Sequence, residues 1–150
     1  MKDNAVITNR AARRDYFILE SFEAGLELKG SEVKSIRAVK ASLAGSFAKI
    51  EGNEIYLHHM HIDPYKYTNI EEQDPLRPKK LLLHRKEITH LTTKMSQKGL
   101  ALIPLKVYFK QGLAKMELAL AKGKKHYDKR EAIKRKEAER EISRAKRYKR

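Results

Sequence analysis

The chain has no cysteine among its 150 residues. That excludes a disulfide framework and a thiolate metal site, and it fits a reducing compartment, the cytosol. No stretch approaches the ~18 consecutive apolar residues that a membrane-spanning helix needs. The first residues, Met1-Lys2-Asp3-Asn4-Ala5, lack the apolar segment of a signal peptide. No membrane association is expected, and the chain is read as cytoplasmic. Acidic residues are scarce beside basic ones, 19 Asp and Glu against 34 Lys and Arg, for a formal charge of +15. Such a balance points to a polyanionic partner, with nucleic acid ahead of an acidic lipid surface.

Apolar residues are scarce in one place above all. From Lys124 to Arg150 the sequence holds 13 Lys and Arg against 5 Asp and Glu, and its only sizeable apolar side chains are Tyr127, Ile133, Ile142 and Tyr148. So little to bury cannot offset an ordering cost of roughly 1–2 kcal/mol per residue. The local pattern is nevertheless helical. Asp128 can cap a helix, Glu131 completes a capping box, and Glu131–Arg135 is an i,i+4 pair in the favourable order. Ala138, Ile142 and Ala145 make a stripe too thin for a core face. The expectation is a domain over 1–122 followed by a basic tail over 123–150, disordered when free and helical against a polyanion. A solvated solubility tail is the plainer alternative.

The folded part reads as short strands and three short helices. Asn9 is a good N-cap, with Arg10, Arg13 and Arg14 following within five residues. Tyr16 to Leu28 reads as one long strand, or two bent at Gly25. Its apolar residues Phe17, Leu19, Phe22, Leu26 and Leu28 change parity between Leu19 and Phe22, as a bulge requires. Gly30 to Val39 has helical spacing, with Ser31 as N-cap and Val33, Ile36 and Val39 as a stripe fit to plug a barrel end. Gly25-x4-Gly30-Ser31 is not a phosphate loop, because the lysine is missing. Ser46–Ile50 and Glu54–Ile62 read as strands joined by Glu51-Gly52-Asn53. Pro64, Pro75 and Pro78 bound a polar loop, Tyr65 to Arg77, read as mobile. Lys79 to His84 is a short apolar run, and Arg85–Lys98 a helix ended by Gly99.

One cluster has metal-ligand residue types: His58, His59, His61 and Asp63. Strand alternation would put His59, His61 and Asp63 on one face, about 7 Å apart, too far for neighbouring ligands to share a zinc. The reading is a surface strand rich in histidine, with no metal and no cofactor.

The clearest hairpin closes the domain. A two-residue turn at Gln111-Gly112 pairs Lys110 with Leu113, Val107 with Met116 and Leu105 with Leu118, and sets Lys106 opposite Glu117 outside. Six antiparallel strands without a βαβ rhythm favour a small closed barrel of oligonucleotide-binding type. The fold class is therefore mainly β, a six-stranded antiparallel barrel with about three short peripheral helices and a basic C-terminal tail.

Several stretches also carry a resemblance. Asn9-Arg10-Ala11, Phe22-Glu23-Ala24-Gly25 and Gly30-x-Glu32-Val33-Lys34-Ser35-Ile36-Arg37 come first. Lys79-Lys80-Leu81-Leu82-Leu83 and Ala121-Lys122-Gly123-Lys124-Lys125-x-Tyr127-Asp128-Lys129-Arg130 follow in the same order. Together they resemble the SsrA-binding protein (small protein B) family of bacterial trans-translation, across nearly the whole chain. The resemblance implies an oligonucleotide-binding-like barrel that binds the tRNA-like domain of tmRNA and delivers it to stalled ribosomes.

It also implies positions. Asn9, Arg10, Glu23, Leu82 and Lys115 would form the tmRNA-binding face. Asn9 would use its amide on bases or 2′-hydroxyls, and Lys115 would neutralise phosphate. Glu23 would accept from base amino groups or orient a nearby arginine; Leu82 would meet an unstacked base or pack in the core. Gly123, Lys124, Lys125, Tyr127, Asp128, Lys129 and Arg130 would lie in the ribosomal decoding centre, with the tail along the empty mRNA path. Many members carry His at the position of Tyr127; both rings stack on bases, but tyrosine cannot become cationic. The implied protein is a monomer and no enzyme. Two rivals are a generic ribosomal RNA-binding or translation-factor module, and a metal-dependent RNase built on the histidine cluster.

Overall fold

The computed structural model describes residues 6–67, 73–124 and 126–148, with side chains described outside 126–132 and 145–148. Its longest ladder is the expected hairpin. Strands β8 (Leu100–Lys110) and β9 (Leu113–Gly123) pair antiparallel, with Lys110 opposite Leu113, Val107 opposite Met116 and Lys106 opposite Glu117. Gln111 and Gly112 both have positive φ, 52° and 76°, the backbone that lets a two-residue turn follow the strands' own twist. Beyond Lys106 the expected register fails, because Pro104 and not Leu105 lies opposite Leu118. A proline cannot donate to a ladder, and a bulge falls beside it. Leu105 is the extra residue, and it joins Ala12, Ile103, Ala119 and Ala121 in a small cluster apart from the main core.

Five further ladders close a ring. β2 (Tyr16–Leu26) pairs with β9, and β7 (Lys79–Leu82) with β2; β5 (Glu54–His58) pairs with β7, and β4 (Phe47–Glu51) with β5. Ala48 of β4 then meets Leu102 of β8. The six expected strands thus form the barrel. The bulge in β2 falls between Ile18 and Glu20, making Leu19 the extra residue. Phe17 and Leu19 are about half exposed, not core, since the bulge and the barrel's end turn them outward. A short β1 (Ile7–Thr8) lies on β8 at Val107 and Lys106, so one edge of β8 serves β4 near its start and β1 near its end. β3 (Ala41–Ser42) and β6 (His61–Ile62) form a separate pair. Neither of these additions was expected, since two-residue strands leave no period to read.

Ile55, Leu57, Leu81, Leu102, Val107, Met116, Leu118 and Leu120 fill the interior, the inward half of each period-2 alternation. The three short helices are α1 (Ala12–Asp15), α2 (Gly30–Arg37) and α3 (Arg85–Met95). Ile36 of α2, and Ile88 and Leu91 of α3, extend the core. Their ends differ from expectation. Asn9 does not cap α1, which starts at Ala12 after Ala11; its side chain is used on Pro104 instead. Lys29, not Ser31, is the N-cap of α2, and its N–H donates to Glu32 Oε1 at 2.8 Å. Val39 leaves the stripe, 58% exposed with φ +58°. α3 ends at Met95 with Ser96 as C-cap, before Gly99.

The strand expected over Glu54–Ile62 stops at His58, because His59 adopts φ +65°. Of the loop expected to be mobile, 68–72 lie outside the described residues. At its flanks Tyr65 N–H donates to Gln73 Oε1 at 2.7 Å, and Gln73 Nε2 donates to Tyr65 O at 3.2 Å. The tail forms α4 (His126–Tyr148), starting two residues before Asp128. Residues 133–144 of it are all exposed.

Candidate nucleic-acid interface

The outward half of the alternation carries the candidate site. Tyr108 on β8 lies opposite Lys115 on β9, Lys115 opposite Gly25 on β2, and Gly25 opposite Leu82 on β7. These four residues form one row across four neighbouring strands. A parallel row runs Thr8, Lys106, Glu117, Glu23 from β1 to β2. Glu23, Leu82 and Lys115, far apart in sequence, are therefore on one face. Leu82 is 50% exposed, which decides against core packing.

Gly25 is the floor under Leu82. A Cβ at Gly25 would stand 3.1 Å from Leu82 Cβ, so the missing side chain lets the leucine lie across the strand. Glu23 has different partners from those weighed above. Tyr108 Oη donates to Glu23 Oε2 at 2.5 Å, and Lys110 Nζ is 3.5 Å from Glu23 Oε1. The Tyr108 hydrogen bond is the main cause that holds the Glu23 carboxyl below its ordinary value; burial opposes it, and the charge of Lys110 adds to the lowering. Burial, helped by Glu23, pushes the Tyr108 hydroxyl up to about 12. The carboxylate is thus fixed by a tyrosine and a lysine. Sequence reasoning missed both, although Tyr108 stands out as the aromatic outward residue of a strand whose inward residues are Val107 and Phe109.

Asn9 and Arg10 border this face. Asn9 Nδ2 donates to Pro104 O at 2.9 Å, and its backbone N–H to Leu105 O at 2.8 Å. Both hold the turn onto the β8 bulge. Asn9, Arg10 and Arg13 line an open cleft with Lys106 and Glu117, and Lys106 Nζ is 3.6 Å from Glu117 Oε2.

The root of the tail is also built. Gly123 lies opposite Tyr16. Lys124 N–H donates to Asp15 O at 2.9 Å, and its Nζ donates to Arg13 O at 3.2 Å while standing 4.9 Å from the Phe17 ring centre. Lys125 lies outside the described residues. Tyr127, Asp128, Lys129 and Arg130 have their backbone in α4, and their side chains are outside the described residues.

The histidine cluster divides into separate pairs. His58 Nε2 is 2.8 Å from Glu51 Oε1, and His61 Nε2 is 2.8 Å from Asp63 Oδ1. The kink at His59 breaks the alternation that would have aligned His59, His61 and Asp63. Among the described residues no group of three or more such side chains is placed to hold a metal ion, and no helix is long and apolar enough to cross a membrane.

Residues 6–148 match the family described as SmpB protein. The chain belongs to the SmpB family. Its similarity extends to the SsrA-binding protein of Desulforudis audaxviator, 59% identical over 98% of this chain and 96% of that protein. The SsrA-binding protein of Bacillus subtilis is 56% identical over 91% of this chain and 88% of its own length. A solved structure described as "tmRNA-SmpB: a journey to the center of the bacterial ribosome" superposes with a TM-score of 0.69 at 50% identity. It covers 86% of this chain and 94% of the other. The six-stranded ring with short helices is therefore the SmpB family's fold.

Proposed function

We propose that this chain binds the tRNA-like domain of tmRNA and delivers it to stalled ribosomes for trans-translation. The observation that carries the reading is the outward surface of β7, β2, β9 and β8, which brings Leu82, Glu23 and Lys115 together with Asn9 and Arg10 at its border. Lys115 and Arg10 neutralise phosphate; Leu82 meets an unstacked base; Asn9 and the fixed carboxylate of Glu23 take 2′-hydroxyl and base amino groups. Each carboxylate oxygen has two lone pairs, so Glu23 keeps acceptor capacity beside Tyr108 and Lys110. The work is recognition and delivery, without catalysis, by a cytoplasmic monomer that needs no cofactor.

The chain divides into the barrel over 1–122 and the tail over 123–150. Gly123, Lys124, Lys125, Tyr127, Asp128, Lys129 and Arg130 occupy the decoding centre, and the rest of α4 follows the empty mRNA path. The exposure of residues 133–144 supports a helix formed against ribosomal RNA and unfolded when free, since a helix without a packing partner is marginal in water.

A version ending at Gly123 tests the division. It should bind the tRNA-like domain like the full chain and fail to rescue stalled ribosomes. Loss of tmRNA binding itself would make the tail a polyanion clamp and overturn the two-part mechanism. Alanine at Asp128, Lys129 and Arg130 separates this role from that of a generic ribosomal module, which would keep rescue intact.

A further inference from the structure

The outward face does not end at Leu82. Two residues earlier on β7, Lys80 points the same way and lies opposite Tyr56 of β5, which lies opposite Lys49 of β4. Neighbouring strands are about 4.8 Å apart, so Lys80, Tyr56 and Lys49 form a short cation–ring–cation row. Beside it, Phe47 lies opposite His58, their rings stacked with centres 5.6 Å apart and planes 20° from parallel. His59 adds a third ring, 5.3 Å from Phe47. The left-handed φ of His59, +65°, is a conformation that residues other than glycine adopt at a cost, and it falls where the imidazole meets Phe47.

These rings lie outside the buried core. Phe47 is 38% exposed, Lys49 and His59 are exposed, and Tyr56, His58 and Lys80 are half-buried. The face also carries two acidic residues, each matched by a basic side chain: Glu51 reaches along the face to His58 at 2.8 Å, and Glu54 pairs with Lys80 at 3.7 Å. Surface rings flanked by lysines on a small barrel fit a partner that offers flat bases and a phosphate backbone together. A single-stranded nucleic acid does so, whereas a duplex hides its base faces.

We propose that the outer face of β4, β5 and β7 is a second binding surface, a stacking platform for a single-stranded RNA segment. Bases stack on Tyr56 and on the Phe47–His59 rings, while Lys49 and Lys80 take the flanking phosphates. Lys80 and Leu82 share one strand and one face, so the platform is continuous with the face proposed for the tRNA-like domain. It does not depend on that assignment.

The test uses the full chain and a fluorescein-labelled decauridylate RNA, followed by anisotropy over a range of salt concentrations. Tyr56→Leu and Phe47→Leu should each weaken binding about 5- to 100-fold. Replacing Lys49 and Lys80 together by Gln should flatten the plot of log affinity against log salt by about 1.4. An iodouridine version of the RNA should cross-link to Tyr56 or Phe47. All three variants should keep their affinity for the tRNA-like domain, whereas Lys115→Gln should lose part of it, so the two faces fail separately. Thermal unfolding checks each variant, and the lysine pair stands as a test even if an aromatic variant misfolds. Unchanged decauridylate affinity in all three, or cross-links confined to residues 123–150, overturns the proposal. Loss of ribosome association with RNA affinity intact assigns the face to a protein and also overturns it.

Discussion

Tyr108 reaches over β9 to hold Glu23, its hydroxyl donating to the carboxylate at 2.5 Å from two strands away. On a face proposed to bind RNA, a carboxylate is repelled by phosphate unless it is fixed toward a donor. The tyrosine fixes it, and Lys110 sets a cation beside it. Tyr108→Phe removes the largest cause of Glu23's lowered pKa. A group with a depressed folded pKa contributes stability above its unfolded pKa and loses it as pH falls through the folded one. In the variant that contribution should be smaller, and its loss on acidification should be complete at a higher pH. Carbon-13 NMR titration should find the Glu23 midpoint raised toward 4.5, with weaker binding to the tRNA-like domain at neutral pH.

Gly25→Ala separates stability from recognition. The new Cβ meets Leu82 Cβ at 3.1 Å, and the half-exposed leucine can yield toward solvent. Denaturant unfolding should change by less than about 1.5 kcal/mol, while affinity for the tRNA-like domain falls because Leu82 is displaced. A variant with unchanged affinity would remove Leu82 from the interface.

Lys115→Gln should act through phosphate alone. Affinity should drop, and the slope of log affinity against log salt should fall by about one, as for the loss of one phosphate contact. Titrations at several salt concentrations measure both.

Lys79 predicts an alkaline gain in stability. Its side chain is wholly buried, and Nζ donates to Met60 O at 2.8 Å. Burial is the main cause that lowers its pKa to about 8, opposed by Glu32, with Arg77 lowering it further. Between that value and the ordinary 10.5 the unfolded chain binds more protons, so stability should rise with pH through this window. Urea unfolding at pH 7.5 and 9.5 should show the rise, and Lys79→Met should flatten it.

Phe17→Leu should loosen the root of the tail. Lys124 Nζ loses the ring beneath it but keeps the Arg13 carbonyl. Rescue of stalled ribosomes should decline while binding to the tRNA-like domain is unchanged, a split visible by running both assays on one preparation.

The sequence made the ring legible because its strands carry their own alternation. Val107 and Phe109 against Ala114 and Met116 leave one register that buries both faces, and that register is found. It broke at Leu105 because the alternation of apolar residues continues through a bulge even where the backbone does not. Capping residues misled for a related reason. Asn9 and Ser31 have the right side chains for a helix start, but Asn9 is drawn to Pro104 by a strand 95 residues away. The site was legible only in part. Glu23, Leu82 and Lys115 entered through resemblance, whereas Tyr108 was hidden because nothing local indicates that a ring on β8 will reach over β9 to a carboxylate on β2.

Strand β9 carries Lys115 at one end and Gly123, where the tail begins, at the other. The eight steps between them span about 27 Å of paired backbone, hydrogen-bonded on both sides within a closed ring. A flexible linker of that length would blur the separation; a strand locked between two neighbours keeps it constant. Under the proposed function the barrel is thereby a spacer as well as a grip. It sets how far the proposed tmRNA grip at Lys115 stands from the root of the tail at Gly123, and it holds that offset through every delivery.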